Sequence, residues 1–243
     1  MSVGKTGIES SMLKGLANPL AAARVVNALF EQARTMGIKL VLSSDFQSFA
    51  ELRRQARNEE VSPFFDPAIT DLANGKAFWT AGYDANGRVV STQAFRIDMV
   101  DTCLADWALG FVVGIYMKRG EVIVPSKVRP PKNSITERVK GRLVYHGEFW
   151  ISKDIRQRQA VETIPLWGMI LAMLKWNPDA IWGIVEDAMA TRGFVTRIGY
   201  SHIERGFFEW QWLPQGAAAK EWIALSERSD LEYAIEERAA TLA

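Results

Sequence analysis

Two short runs in this chain carry residue types that chemistry can use. In the first, Glu148 lies between Gly147 and Phe149 within Leu143 to Ile151, a stretch rich in β-branched and aromatic residues that reads as a strand. A carboxylate set among aromatic rings is a candidate general base, and the alternative is a strand residue facing solvent. His146, two residues earlier, falls on the same face of a regular strand, as a second base or a hydrogen-bond partner. The second run is Ser152-Lys153-Asp154-Ile155-Arg156-Gln157-Arg158-Gln159, followed by the almost uncharged Ala160 to Trp176. Leu166, Ile170, Met173 and Leu174 stand there at helical spacings, which predicts a helix buried on most sides. Free N–H groups at a helix N-terminus, the positive end of its dipole and two nearby guanidiniums together favour a phosphate. Arg156, Arg158 and the backbone of Gln159, Ala160 and Val161 are therefore a candidate anion cradle, the alternative being arginines that are merely solvated.

The elements that would hold these runs in place are legible on either side. Asn177-Pro178-Asp179 ends the long helix, Ala180 to Val185 reads as a second strand, Glu186 to Ile198 as a helix closing at Gly199, and Phe208 to Trp212 as a last strand. Upstream, Asn18-Pro19 is an N-cap followed by proline at the first helical position, with Leu20, Val25, Val26, Leu29 and Phe30 as an apolar stripe that packs on the domain or on a second copy of the chain. Ile38 to Leu42 reads as a strand and Phe46 to Asn58 as a helix whose Arg53, Arg54 and Arg57 form an outer face. Lys76 to Tyr83 and Arg88 to Ile97 flank Asn86-Gly87, the signature of a β-hairpin with a type I′ turn. Between Asp98 and Lys140 lie the apolar run Leu104 to Met117, read as a core or interfacial helix, and a loop from Pro125 to Asn133 with Lys127, Arg129 and Lys132 facing solvent. Ala217 to Leu225 reads as helical, and Ser229-Asp230-Leu231-Glu232 as a capping box opening a final helix.

Composition excludes several classes. With 29 Lys+Arg against 28 Asp+Glu among 243 residues, no field of one sign calls for nucleic acid. A lone Cys103 excludes an intramolecular disulfide, and the two histidines lack a metal-binding spacing, so no metal is expected and a reducing cytoplasm is. The run Leu104 to Met117 is shorter than the ~20 residues of a membrane span and contains Asp106. A hydrophobic content of 48% supplies a sizeable core, and no P-loop, Gly-x-Ser-x-Gly elbow, dinucleotide fingerprint or His-Glu-x-x-His stands in the chain.

The order strand, helix, hairpin, strand, basic loop, helix, strand, helix, strand resembles the core of the GNAT N-acyltransferase superfamily. Arg156-Gln157-Arg158-Gln159-Ala160-Val161 stands at the place of that family's Arg/Gln-x-x-Gly-x-Gly/Ala motif, and Arg197-Ile198-Gly199-Tyr200 at its late Gly-Phe turn. Gln159 and Val161 replace the family's glycines, and Val195 stands where its general-acid tyrosine is expected. The enlarged segment from Asp98 to Lys140 is similar to the branch of N-acyl amino acid and acyl-homoserine-lactone synthases.

The resemblance implies an α/β (α+β) domain over 38–212, a mixed, mostly antiparallel sheet flanked by helices, preceded by an N-terminal helical segment (1–37) and followed by a helical tail (213–243). It further implies transfer of an acyl group from acyl-CoA, or from acyl carrier protein, to an amine or amino acid, with Glu148 and His146 as catalytic groups. The acyl-CoA would lie on Arg156, Arg158, Gln159, Ala160 and Val161. Glu186 and Asp187, at the carboxyl end of a strand, would bind the amine or cap the helix that follows. The other implied reading is a GNAT-shaped protein that has lost catalysis and binds a small molecule or a protein, and a homodimer is compatible with either.

Overall fold

The computed structural model describes residues 15–121, 125–127, 132–156 and 158–242. Eight strands form one mixed sheet in the order β1-β2-β3-β5-β6-β8-β7-β4. They are β1 (Lys39–Ser43), β2 (Ala77–Tyr83), β3 (Val89–Val100), β4 (Pro125–Lys127), β5 (Gly141–Ile151), β6 (Ala180–Glu186), β7 (His202–Trp210) and β8 (Lys220–Glu227). Every neighbouring pair is antiparallel except β5 with β6. A parallel pair needs a long crossover, and the helix α4 (Arg158–Trp176) provides it. The fold is thus the mixed, mostly antiparallel sheet with flanking helices that the element order predicts.

Each face of the sheet carries its own core. On one face α2 (Phe46–Arg57), the segment from Val61 to Leu72 and α3 (Leu104–Lys118) pack on Trp79, Tyr145, Trp182 and Leu225. On the other, α1 (Pro19–Thr35), α4, α5 (Asp187–Thr191), α6 (Phe194–Arg197) and α7 (Arg228–Ala240) pack on Phe78, Phe95, Val144 and Ile181. The N-terminal helix therefore packs on this chain's own domain. Its start is as the sequence indicates, with the Asn18 side chain accepting from the Ala21 N–H at 3.0 Å and Pro19 first in the helix. No helix among the described residues is long and apolar enough to cross a membrane.

Several elements differ from their sequence expectation for local reasons. The hairpin between β2 and β3 turns through Ala85-Asn86-Gly87 with only Gly87 at positive φ, because the Asp84 carboxylate accepts from the N–H groups of Asn86 and Arg88 and closes a longer turn. The helix expected over Ala217 to Leu225 is strand β8, inserted between β6 and β7; its apolar residues alternate between the two cores, Ile223 and Leu225 on one side and Ala224 on the other. The capping box belongs to Glu227 and Asp230, two residues earlier than the Ser-x-x-Glu pattern suggests, and Tyr233 is exposed. The single helix expected from Glu186 to Ile198 is two short ones, divided at Gly193 with φ 67°. Helix α4 starts at Arg158 and runs through Pro165. The side chains of the loop residues Lys127 and Arg129 lie outside the described residues.

One glycine sets the spacing of α4 on the sheet. A Cβ at Gly168 would fall 2.5 Å from Gln93 Nε2 and 2.7 Å from the Phe95 ring, so the helix lies directly against β3. Gln93 in turn donates to the Ile164 carbonyl at 2.8 Å, a bond from sheet to helix next to the proline.

Candidate active site

The parallel pair β5–β6 is short. Leu143, Val144 and Tyr145 pair with Ala180, Ile181 and Trp182, after which the strands part, although β5 runs on to Ile151 and β6 to Glu186. The cause is a bulge in β5. Between Thr92 and Ala94 of β3, the single residue Gln93 faces both Glu148 and Phe149. Glu148 takes φ 55°, a left-handed conformation unfavourable for a residue with a side chain, and its carbonyl accepts from Thr92 Oγ1 at 2.9 Å. Beyond the apex, the β6-facing edge of β5 has no strand beside it among the described residues.

The bulge also reverses the expected pairing of His146 with Glu148. Tyr145 and Gly147 face the α2 side and His146 the α4 side; the inserted residue turns Glu148 back to the α2 side. The two candidate bases thus lie on opposite faces, and period-2 spacing fails because one residue is added to the strand.

On the α4 side His146 is 4% exposed, stacked on Phe95 with centroids 4.4 Å apart. Its Nδ1 is 2.9 Å from the Tyr200 hydroxyl, and its Nε2 is buried without a hydrogen-bond partner. Burial pulls the imidazole down to about 3, so the ring is neutral at physiological pH. Burial likewise pushes the Tyr200 hydroxyl well above its ordinary range, keeping it protonated. The Tyr200 oxygen reaches the apex of the parting: a Cβ on Gly183 would lie 3.1 Å from it and 2.8 Å from the His146 carbonyl oxygen. Tyr200 stands in the Gly-Tyr turn, whereas the resemblance expects a tyrosine at position 195, where Val195 is a fully buried core residue.

On the α2 side Glu148 is enclosed, with 3% of its side chain exposed. Oε2 lies 2.8 Å from Arg53 Nε, and Oε1 accepts from the Ser62 N–H at 2.7 Å. Arg53 is therefore buried, contrary to the expected outer face. Arg54 is exposed, while Arg57 lies half-buried, its guanidinium 5.6 Å from the Trp150 ring centroid.

The residues expected to form an anion cradle lie between the end of β5 and the first turn of α4. The first four N–H groups of α4, those of Arg158, Gln159, Ala160 and Val161, have no acceptor within the helix. Ala160 and Val161 turn their side chains into the core, whereas Gln159, at the other glycine position, is exposed. Arg156 donates through Nε to the Ile151 carbonyl at 2.9 Å, which fixes its arm to the strand end. The Arg158 side chain lies outside the described residues.

Glu186 and Asp187 stand at the far side of the parting. Glu186 is exposed and opens α5 without a side-chain cap. Asp187 accepts from Trp222 Nε1 at 2.9 Å. Directly across from Glu186 in the sheet is Glu221, a residue the sequence reading did not single out. Its carboxylate accepts from Trp210 Nε1 at 3.0 Å and from the Ala218 N–H at 3.4 Å, yet burial pushes its pKa up to about 7, with the Glu186 charge adding to the rise. No group of three His, Cys, Asp or Glu among the described residues is placed to hold a metal ion.

His146 and Glu221 give stability opposing pH dependences. Below 6.5 the unfolded chain protonates a histidine that the fold keeps neutral to about 3, so this site gains stability as pH rises from 3 to 6.5. Glu221 keeps its proton in the fold to about 7 but loses it unfolded above 4.5, so that site loses stability as pH rises from 4.5 to 7. In Glu221→Gln the His146 slope stands uncovered, and urea unfolding between pH 4.5 and 6.5 should show stability rising with pH relative to the unaltered protein by up to about 1.4 kcal/mol per unit. Parallel curves for the two proteins would contradict a Glu221 that stays protonated.

No family model and no curated protein matches the chain. Solved structures do. The chain is similar to GNAT-type acetyltransferases. Arabidopsis thaliana NAA60 in complex with acetyl-CoA is 13% identical, covering 78% of this chain and 98% of its own, with TM-score 0.43. FeeM, an N-acyl amino acid synthase from uncultured soil microbes, is 10% identical over 80% of this chain and 93% of its own, with TM-score 0.42. A variant of the spermidine N-acetyltransferase SpeG from Vibrio cholerae is 10% identical over 81% and 96%, with TM-score 0.46.

Proposed function

We propose that this protein transfers an acyl group from an acyl thioester of CoA to an amine. The observation that carries the reading is the parting of β5 and β6 beside the start of α4. A free strand edge takes up an extended chain bearing amide groups, as in β-strand addition, and a helix N-terminus takes up phosphate. The pantetheine arm and pyrophosphate of CoA have these two features in this order. Such a ligand would run from the α4 N-terminus along the edge of β5, bringing its thioester to the apex near Tyr200.

The residues there suit the reaction. The amine nitrogen attacks the thioester carbon, the C–S bond breaks, and the CoA sulfur leaves as a thiolate that needs a proton. Tyr200 supplies it. With the neutral His146 ring donating from Nδ1 to the Tyr200 oxygen, the tyrosine's own proton is free to point into the parting. The acceptor ammonium first gives one proton to Glu148, across the bulge, so that the attacking nitrogen has a free electron pair; the second proton it sheds on forming the amide passes to solvent, and exchange with solvent returns Glu148 and Tyr200 to their starting states. The cytoplasm, a homodimer and an acyl carrier protein as alternative donor remain compatible with this reading.

Thermal melting with acetyl-CoA, long-chain acyl-CoAs and free CoA tests the cradle. A ligand at 100 times its Kd adds about 2.7 kcal/mol of stability, so a rise in midpoint is expected that Arg156→Ala with Arg158→Ala reduces without lowering the ligand-free midpoint. No rise with any CoA thioester would overturn a CoA donor.

A further inference from the structure

The Arg53–Glu148 pair has capacity that the fold does not use. Arg53, with 7% of its side chain exposed, sets Nε 2.8 Å from Glu148 Oε2 and Nη2 3.3 Å from Glu59 Oε2, while Nη1 is buried with no hydrogen-bond partner. The Nε contact is itself out of hydrogen-bond alignment, so Glu148 Oε2 also has no aligned donor. A buried donor left unsatisfied costs about 1–3 kcal/mol, more when charged, and such groups in folded proteins call for an explanation. An unused donor on a cation and an unused acceptor on an anion stand side by side, at the bulge that borders the apex.

We infer that Arg53 and Glu148 recognise the acceptor together, and that the acceptor is an α-amino acid or a close analogue carrying a carboxylate beside its amine. The inference rests on the acyl-transfer reading above. The acceptor's ammonium donates to Glu148 Oε2 and its carboxylate accepts from Arg53 Nη1. A simple amine would satisfy Glu148 and leave Nη1 orphaned. A diamine would bring a second cation against Arg53 and Arg57. Arg53 and Arg57 already balance Glu59 and Glu148, and a zwitterion leaves that balance intact where a monocation does not. The stretch from Asn58 to Ser62 covers the pair, tied to β5 by the Ser62 N–H and carrying the exposed Glu59 and Glu60.

The test offers the full chain a panel of free amino acids, their C-amides and their decarboxylated amines, with an acyl-CoA as donor. A charge-assisted hydrogen bond is worth about 1.5–3 kcal/mol, so free amino acids should be acylated with kcat/KM about 10- to 100-fold above the matching amides and amines. Arg53→Lys, which keeps one charge for Glu148 but lacks the guanidinium fork, should raise the amino acid KM and erase the preference while leaving the melting shift with CoA unchanged. Equal use of amines and amino acids, or a preference that survives Arg53→Lys, overturns the inference and leaves acyl transfer standing. Calorimetry on the unaltered protein, with and without CoA, decides independently of turnover and of how the variant folds. Heat with free amino acids but not with their amides supports the assignment even where CoA does not bind, and the absence of that difference overturns it.

Discussion

Tyr200→Phe is expected to cut turnover of an acyl-CoA about 10²-fold or more, the size of a lost general acid, while the protein stays folded. The substitution keeps the ring that fills the apex beside Gly183 and removes the hydroxyl 2.9 Å from His146 Nδ1. It leaves that nitrogen buried without a partner, at about 1–3 kcal/mol in stability, and a circular dichroism melt will show whether the fold survives. The role is separated from mere packing by the leaving group. A nitrophenyl thioester expels a thiolate stable enough to depart unprotonated, so with that donor the deficit of Tyr200→Phe should shrink to a few-fold. An equal deficit with both donors would mean that Tyr200 positions the substrate without protonating it.

How much of this arrangement the sequence discloses depends on how local its cause is. The capped N-terminal helix, the hairpin at Asn86-Gly87 and the strand, basic loop and helix around Arg156 are each set by neighbours in sequence, and each is where the residues indicate. Strand β8 is not legible because Trp222, Ile223 and Leu225 fit a helical stripe nearly as well as the alternation that the sheet imposes. The geometry of the proposed site is legible in residue types but not in placement. Nothing in Gly147-Glu148-Phe149 announces that one residue will be inserted opposite Gln93, and that insertion alone moves Glu148 from beside His146 to the opposite face. Arg53 is read as solvent-facing because three arginines in five positions look like a polar stripe, and its burial follows from a carboxylate 95 residues away in the chain. Tyr200 joins the proposed site through the strand parting, which is a property of two strands whose paired residues, such as Tyr145 and Trp182, lie 37 positions apart in the chain.

The second large effect concerns the buried ion pair. Removing one partner of such a pair leaves a charge buried and uncompensated, at about 3–5 kcal/mol, whereas replacing both with apolar residues of similar size is often close to neutral. Glu148→Met and Arg53→Met should therefore each lower stability by about that amount, seen as a marked fall in the urea midpoint with an unchanged m-value. The double variant should regain most of the loss, because neither charge remains to be solvated; the bonds not replaced are that from the Ser62 N–H to Glu148 Oε1 at 2.7 Å and that from Arg53 Nη2 to Glu59 Oε2 at 3.3 Å. Activity should follow a different pattern: the double variant, though stable, should be as inactive toward acyl-CoA and amine as Glu148→Met alone, since the proton acceptor is gone from both. Recovery of activity along with stability would show that the carboxylate only anchors the 58–62 stretch to β5 and takes no part in the chemistry. Single variants as stable as the unaltered protein would mean that the pair is solvated in solution, and the enclosed acceptor site would fall with it.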